Sequence, residues 1–207
     1  EPPLWAALLA ADLRRKGYAV GLFDAEVEGW SYEETARQIR DADPMLAAVV
    51  VSGTNPSAST MNMTGSGIIL AHLKEIAPEI KALLTGLHPS ALPERTLREE
   101  QADFVCVGEG LYTLPKLIDA LKAGRQEFPI PGLWYKAPAD GHVVGNPRAP
   151  VAEDLDQLPM PAWDLLPMER YRAHNWHCFD NIHARQPYGV IYTSLGCPFR
   201  CSFCCIN

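Results

Sequence analysis

Apolar segments alternate with amphipathic ones over the first 125 residues, and this alternation restricts the fold more than any other feature of the sequence. The apolar segments are YAVGLFD (18–24), LAAVVVSG (46–53), IKALLTG (80–86) and DFVCVGEG (103–110). They have the length of strands, and LAAVVVSG is apolar enough to be covered on both faces, as parallel strands are.

Helices are predicted between these strands. SYEETARQIRDAD (31–43) begins with Ser31 and Glu34 in capping-box spacing. The other helical segments are LWAALLAADLRRKG (4–17), SGIILAHLKEIAP (66–78), PERTLREEQ (93–101) and LYTLPKLIDALKAG (111–124). Strands separated by helices form βαβ units with right-handed crossovers. We therefore predict an α/β fold with a Rossmann-like, doubly wound parallel sheet.

The alternation of predicted strands and helices ends at Gly124. PGLWYKAPADGHVVGNP (131–147) is typical of a hairpin, and EDLDQLPMPAWDLLP (153–167) of a proline-punctuated linker. A last strand is predicted at YGVIYTSLG (188–196). The predicted domains are therefore a Rossmann-like domain at 1–125, a hairpin and linker at 126–187, and a third segment at 188–207.

Composition narrows the range of partners and compartments. The net charge is −7, without a cluster of basic residues, so nucleic acid is not an expected partner. No apolar stretch approaches the roughly 20 residues that a membrane span needs, and we expect a cytoplasmic protein with reduced thiols. Because the chain begins with Glu1 and ends in a cysteine-rich loop, we expect a fragment cut at both ends.

Ligands of doubly wound sheets bind beyond the carboxyl ends of the strands. In this chain those ends are VVVSGTNPSAST, LLTGLHPSALPE and VCVGEG, all rich in glycine, serine, threonine or proline. Glycine lets a backbone approach a ligand closely. The sequence therefore places a candidate binding site on these three loops.

Three cysteines near the end of the chain have the spacing C-x3-C-x2-C: Cys197, Cys201 and Cys204. Three thiolates can hold three irons of a [4Fe–4S] cluster and leave the fourth iron open for a ligand. Structural zinc is an alternative, with a fourth ligand from Cys205 or from His177 and Cys178. Cys106, within the apolar FVCVG, is expected to be a small buried hydrophobe.

The segment CPFRCSFC resembles the signature of radical S-adenosylmethionine (SAM) enzymes. The resemblance implies that Cys197, Cys201 and Cys204 bind the cluster and that SAM chelates the open iron. Phe203 is then expected near the adenine, and Cys205 is expected not to be a ligand. One electron, from a donor such as flavodoxin or ferredoxin, would cleave SAM to a 5′-deoxyadenosyl radical. In this family YGVIYTSLG would be the first strand of a (β/α) barrel that is otherwise absent.

The preceding region resembles the cobalamin-binding domain of one branch of that superfamily, through PPLWAALLAADLRRKGYAVGLFDAE, GLHPSALPE, DFVCVGEGLYTL and LPMPAWDLLP. The resemblance implies that the strand-end loops surround the corrin ring and its nucleotide tail. It also implies a first strand before Pro2, which the sequence lacks. The residues it places at the cofactor are Ser52, Gly53, Thr54, Gly86, Leu87, His88, Pro89, Gly108, Glu109 and Gly110.

Two of these residues have simpler interpretations. The motif D-x-H-x-x-G, which supplies histidine to cobalt in other cobalamin proteins, does not occur in these strand-end loops; its match at Asp140–Gly145 lies in the predicted hairpin. A loop histidine before a proline, such as His88, is more often a hydrogen-bonding surface residue than a metal ligand. Glu109 could cap the helix that follows it.

Together the resemblances imply a cobalamin-dependent radical SAM enzyme. The commonest reaction that these resemblances imply is methylation of an unactivated carbon or phosphorus in a small-molecule substrate, with methylcobalamin as methyl donor. A non-methylating cyclase or oxidase, and a zinc- or cobalamin-binding module without catalysis, are the alternatives.

Overall fold

The structure of the chain is a computed structural model that describes residues 1–52, 56–152, 154–173, 187–193, 199 and 201–202. The chain divides into two units, one formed by Glu1–Gly29 with Leu158–Asn207 and the other by Trp30–Gln157. Within Trp30–Gln157 five strands form one sheet: β1 (Leu46–Val51), β2 (Lys81–Gly86), β3 (Phe104–Cys106), β4 (Leu133–Lys136) and β5 (Val143–Gly145).

The first three strands are parallel, which confirms the predicted α/β sheet. Leu46 is opposite Lys81 and Val51 is opposite Gly86, so β1 and β2 end at the same level. Leu83 is opposite Phe104, which aligns β3 with β2. The carboxyl ends of all three strands therefore lie at one edge.

Helices α4 (Pro56–Ile76), α5 (Leu87–Ala91) and α6 (Pro93–Glu99) connect β1, β2 and β3, while α3 (Tyr32–Asp41) precedes β1 and α7 (Thr113–Lys122) follows β3. Helices α1 (Leu4–Arg15) and α2 (Ala25–Glu28) belong to the other unit. The helices that the sequence predicts are α1, α3, α4, α6 and α7. The hydroxyl of Ser31 accepts a hydrogen bond from the backbone N–H of Glu34 at 3.1 Å, so α3 begins where the capping-box spacing predicts. Helix α4 starts ten residues earlier than the sequence predicts, and α2 and α5 are not predicted by the sequence.

The core of the sheet is built from the alternating apolar residues of the strands and the inner faces of the helices. Val51, Leu84 and Val105 are fully buried together with Leu70 and Leu73 of α4. Burying such side chains contributes about 1.5–3 kcal/mol each. This core holds the three strand ends in fixed positions.

The predicted hairpin at 131–147 is confirmed and belongs to the sheet. Strand β4 pairs antiparallel with β3, and β5 pairs antiparallel with β4. Phe128 stacks edge to face on Phe104 and Tyr135, with ring centroids 5.2 Å apart in each pair. The sequence groups the hairpin with the linker at 126–187 because a hairpin signal does not reveal which strand it will pair with.

The structure corrects one predicted strand. Residues 18–24 are irregular, and Val20 and Leu22 pack against Ala10 and Ala11 of α1. A strand needs a neighbour to satisfy its backbone groups, and none of the described strands pairs with this segment. Asp24 instead accepts a hydrogen bond from the N–H of Val27 and begins α2.

In the unit formed by Glu1–Gly29 with Leu158–Asn207, the proline-rich segment lies along α1. The N–H of Ala162 donates to the carbonyl of Ala7 at 2.9 Å. Asp164 accepts from Arg14 at 2.7 Å, and Tyr171 donates to Asp24 at 2.7 Å. Trp163 packs against a cluster that contains Ala7.

The predicted barrel strand at 188–196 falls partly on described residues. Residues 188–193 form no strand, and the only pairing near them in the described part is a bridge between Arg172 and Pro187. Residues 194–196 lie outside the described residues.

Candidate functional site

Most of the predicted cobalamin residues lie at the carboxyl edge of the sheet. Ser52 follows β1, Gly86 to Pro89 follow or end β2, and Gly108 to Gly110 follow β3. Because the three strands are parallel and in register, the three loops lie side by side. Gly53 and Thr54 lie outside the described residues.

A buried serine joins the first two loops. Ser59, on α4, is only 1% exposed. Its hydroxyl donates to the carbonyl of Val51 at 2.7 Å and accepts from the N–H of His88 at 3.0 Å. One hydroxyl therefore satisfies a backbone carbonyl at the end of β1 and a backbone N–H after β2.

A second serine joins the next two loops. The hydroxyl of Ser90, on α5, accepts a hydrogen bond from the N–H of Gly108 at 3.0 Å. Within the β1 loop, Asn62 donates from its side-chain amide to the carbonyl of Ser52 at 2.6 Å. The three predicted loops are thus connected by side-chain hydrogen bonds into one surface.

Gly86 is required by the packing of the chain. Its φ of +133° with ψ of −176° lies in a region that is essentially restricted to glycine. A Cβ at this position would lie 2.2 Å from the carbonyl oxygen of Val51. Because Gly86 has no side chain, the ends of β1 and β2 can approach each other closely. This packing role differs from the predicted one, in which glycine lets the backbone approach a macrocycle.

Gly108 has the properties expected for ligand approach. It is exposed, its φ is +87°, and a Cβ built on it would meet no atom within 4 Å. Gly110, with φ of +82°, is buried, and its carbonyl accepts from the N–H of Leu114 at the start of α7. The backbone of Gly108 at the end of β3 is therefore open to solvent.

His88 is held by two consecutive residues of α4. Its backbone N–H donates to Ser59, and its ring Nδ1 lies 3.1 Å from the hydroxyl of Thr60. This arrangement agrees with a hydrogen-bonding histidine.

Cys106 ends β3 directly below this edge and is completely buried. Burial raises the pKa of its thiol to about 11, although hydrogen bonds with Thr113 and Thr85 act in the opposite direction. The thiol is therefore protonated at neutral pH, and the predicted structural role of Cys106 is confirmed.

The predicted cluster site is described only in part. Cys201 is exposed and free, whereas Cys197, Cys204 and Phe203 lie outside the described residues. In the described part of the chain, no three His, Cys, Asp or Glu side chains come together as a metal site. The iron–sulfur ligands therefore stay a prediction, and so does the zinc alternative through Cys205, His177 and Cys178.

Sequence reasoning did not single out the residues that join the loops: Ser59, Thr60, Asn62 and Ser90. They occur within the quoted strand-end segments or directly after them. Small polar residues in such segments are ambiguous, because serine and threonine also cap helices and form turns. The signal that could have identified them is their position in the first turns of a helix after a strand.

The parallel strands and joined carboxyl-edge loops define an α/β ligand-binding domain of the doubly wound class. The chain belongs to the B12 binding domain family, whose model matches residues 1–118. The predicted cobalamin-binding domain is confirmed.

Curated relatives include methyltransferases and cyclases. An uncharacterized methyltransferase of Pyrococcus horikoshii is 34% identical over 98% of this chain and 40% of its own length. The anaerobic magnesium-protoporphyrin IX monomethyl ester cyclase of Rubrivivax gelatinosus is 31% identical over 98% of this chain and 34% of its own length. The chain therefore spans well under half of these relatives.

Solved structures agree on the fold. TsrM from Kitasatospora setae, a radical SAM methyltransferase solved with cobalamin and a [4Fe-4S] cluster, matches with a TM-score of 0.60 and 18% identity over 80% of this chain and 31% of that one. The cobalamin-dependent SAM radical enzyme OxsB, with aqua-cobalamin, matches with a TM-score of 0.60 and 24% identity over 79% of this chain and 22% of that one.

Among the residues that the structure describes, no helix is both long enough and apolar enough to cross a bilayer.

Proposed function

We propose that this chain is the cobalamin-binding part of a radical SAM enzyme and that cobalamin binds on the three joined loops at the carboxyl edge of the sheet. The family match supports cobalamin as the ligand. The observation that carries the location is the pair of serine bridges, Ser59 to His88 and Ser90 to Gly108, which turn three separate loops into one surface.

The protein's own residues would bind and orient the cofactor. Ser52 and Gly108 are exposed, so a ligand could pack against their backbone, and Gly86 keeps β1 and β2 close. Gly53, Thr54, Leu87, Pro89, Glu109 and Gly110 complete the proposed contact set. The bound cofactors would supply the difficult chemistry, a methyl group on cobalt and the one-electron cleavage of SAM.

Cys197, Cys201 and Cys204 are proposed to hold a [4Fe–4S] cluster, with SAM on the open iron and Phe203 near the adenine. The exposed, free thiol of Cys201 is compatible with this role. We further propose a small-molecule substrate, an electron donor such as flavodoxin or ferredoxin, and a cytoplasmic location.

Methyl transfer to an unactivated carbon or phosphorus is the proposed reaction, since methyltransferases are among the relatives. A cyclase or oxidase reaction is the second candidate, because a cyclase relative is nearly as similar, at 31% identity against 34%. Both reactions use the same cofactors and differ in the fate of the substrate.

Anaerobic reconstitution of the full-length protein with iron, sulfide and hydroxocobalamin tests the cofactors. We expect about four irons and four sulfides per chain, one corrin, and formation of 5′-deoxyadenosine from SAM after reduction. A single zinc without iron would contradict the proposal and favour an interaction module. A corrin without a cluster would favour a carrier without catalysis.

Matched cysteine variants test the ligand set. Cys204→Ala should abolish the cluster, whereas Cys205→Ala, one residue away, should keep it. Retention of iron in Cys204→Ala together with its loss in Cys205→Ala would refute the assignment.

A further inference from the structure

Two neighbouring residues of α4 contact the same histidine across the sheet edge. Ser59 accepts the backbone N–H of His88 at 3.0 Å, and the hydroxyl of Thr60 lies 3.1 Å from its Nδ1. The residues are 29 and 28 positions apart in sequence. One bond fixes the backbone at His88, and the other fixes the rotation of its ring.

The second ring nitrogen is left for another partner. Nε2 of His88 makes no hydrogen bond with any of the residues that the structure describes, and the residue is only partly buried. A neutral imidazole has one donor and one acceptor nitrogen, and the hydrogen bond at one of them selects the tautomer. A Thr60 hydroxyl that donates to Nδ1 leaves the ring proton on Nε2, whereas one that accepts from Nδ1–H leaves Nε2 as an acceptor.

We infer that Ser59 and Thr60 are positioning residues of the cobalamin site and that they orient His88 to donate from Nε2 to an oxygen of the bound cofactor. In this inference the hydroxyl of Thr60 is the donor to Nδ1, so the ring proton is on Nε2. Cobalamin carries the matching acceptors, the amide oxygens of its side chains and the phosphate of its nucleotide tail. The inference rests on the proposed function, because it requires cobalamin on these loops.

The test uses the full-length protein with hydroxocobalamin as the probe. Thr60→Val removes the hydroxyl at nearly constant volume and should weaken cobalamin binding about tenfold, as loss of one hydrogen bond does. Thr60→Ser should restore the affinity. Ser66→Ala is the control, because Ser66 lies on the same helix and its buried hydroxyl donates to the carbonyl of Asn62 within α4, not to His88. The affinity of Ser66→Ala for hydroxocobalamin should not change.

Two readouts separate positioning from general stability. The ¹⁵N shifts of His88 should show the Nε2–H tautomer in the wild type and in Thr60→Ser, and a mixture of tautomers in Thr60→Val. In a His88→Gln background, Thr60→Val should cause no further loss of affinity, because the residue through which it acts is gone. The melting temperatures of Thr60→Val and Ser66→Ala should both stay close to that of the wild type.

Three results would overturn the inference. The first is an equal loss of affinity on Thr60→Val with and without His88. The second is an Nδ1–H tautomer in the wild type. The third is nitrogen hyperfine splitting in the electron paramagnetic resonance spectrum of bound cob(II)alamin that disappears in His88→Gln, which would make His88 a cobalt ligand. These three results would leave the proposed function intact. If the wild type binds no hydroxocobalamin at all, both the inference and the proposed function fail.

Discussion

Substitution of Gly86 by alanine tests whether the strand ends are packed as closely as the structure indicates. The new Cβ would lie 2.2 Å from the carbonyl oxygen of Val51 and 3.0 Å from its carbonyl carbon. Both atoms belong to the backbone of β1, so no side chain can rotate away. Either β1 or the Gly86 backbone must move by most of an ångström.

The expected cost has two parts. The backbone conformation of Gly86, with φ of +133°, is strained for alanine by about 1–3 kcal/mol. Displacing packed backbone adds about 1–3 kcal/mol, as overpacking does in protein cores. We therefore expect Gly86→Ala to lower the free energy of unfolding by about 4 kcal/mol.

Gly108→Ala is the matched control. Gly108 also has a positive φ, +87°, but a Cβ there would meet nothing within 4 Å. Only the conformational part applies, about 1–2 kcal/mol. Urea denaturation of the two variants and the wild type, followed by circular dichroism, measures the difference. A Gly86→Ala variant no less stable than Gly108→Ala would refute the close approach of β1 and β2.

Three further predictions concern stability. Thr96→Val should raise the free energy of unfolding by about 1 kcal/mol, because the Thr96 hydroxyl is buried without a partner among the described residues; a lower melting temperature would contradict this. Ser31→Ala should cost about 1 kcal/mol in urea denaturation, because Ser31 caps α3, and an unchanged midpoint would show that the cap is not needed. Burial raises the pKa of Cys106 to about 11, so its stabilising effect is complete below about pH 9 and is lost as the pH rises to 11. The wild type should therefore lose more stability than Cys106→Ala over this interval, and equal losses would contradict the buried thiol.

The sequence predicts the parallel strands β1, β2 and β3 from their apolar runs, although β1 is less covered than predicted, since only Ala47 and Val51 are buried and Ala48 is exposed. Residues 18–24 have a similar apolar content but pair with none of the described strands. Val20 and Leu22 pack, half-buried, against α1, whereas Phe23 is 46% exposed. Apolarity alone therefore predicts neither full burial nor a strand at this segment. Strand formation also requires a neighbour in register, and that information lies elsewhere in the chain.

The candidate site was predictable at the level of loops and less so at the level of residues. Parallel strands must end at one edge, so the positions of Ser52, Gly86 and Gly108 followed from the topology. The role of Ser59 did not follow, because its hydroxyl acts on backbone groups of two strands that are distant in sequence. Gly86 shows the same limit, since only the structure distinguishes a glycine needed for packing from one needed for a ligand.

The position of cobalt in the full-length protein tests the central claim most directly. Crystals grown with hydroxocobalamin and measured at the cobalt absorption edge would locate the metal by its anomalous scattering. The account predicts one cobalt per chain above the carboxyl ends of β1, β2 and β3, with the corrin in contact with the loops after Val51, Gly86 and Val107. Cobalt at another surface of the domain, or no bound cobalt at saturating hydroxocobalamin, would contradict it.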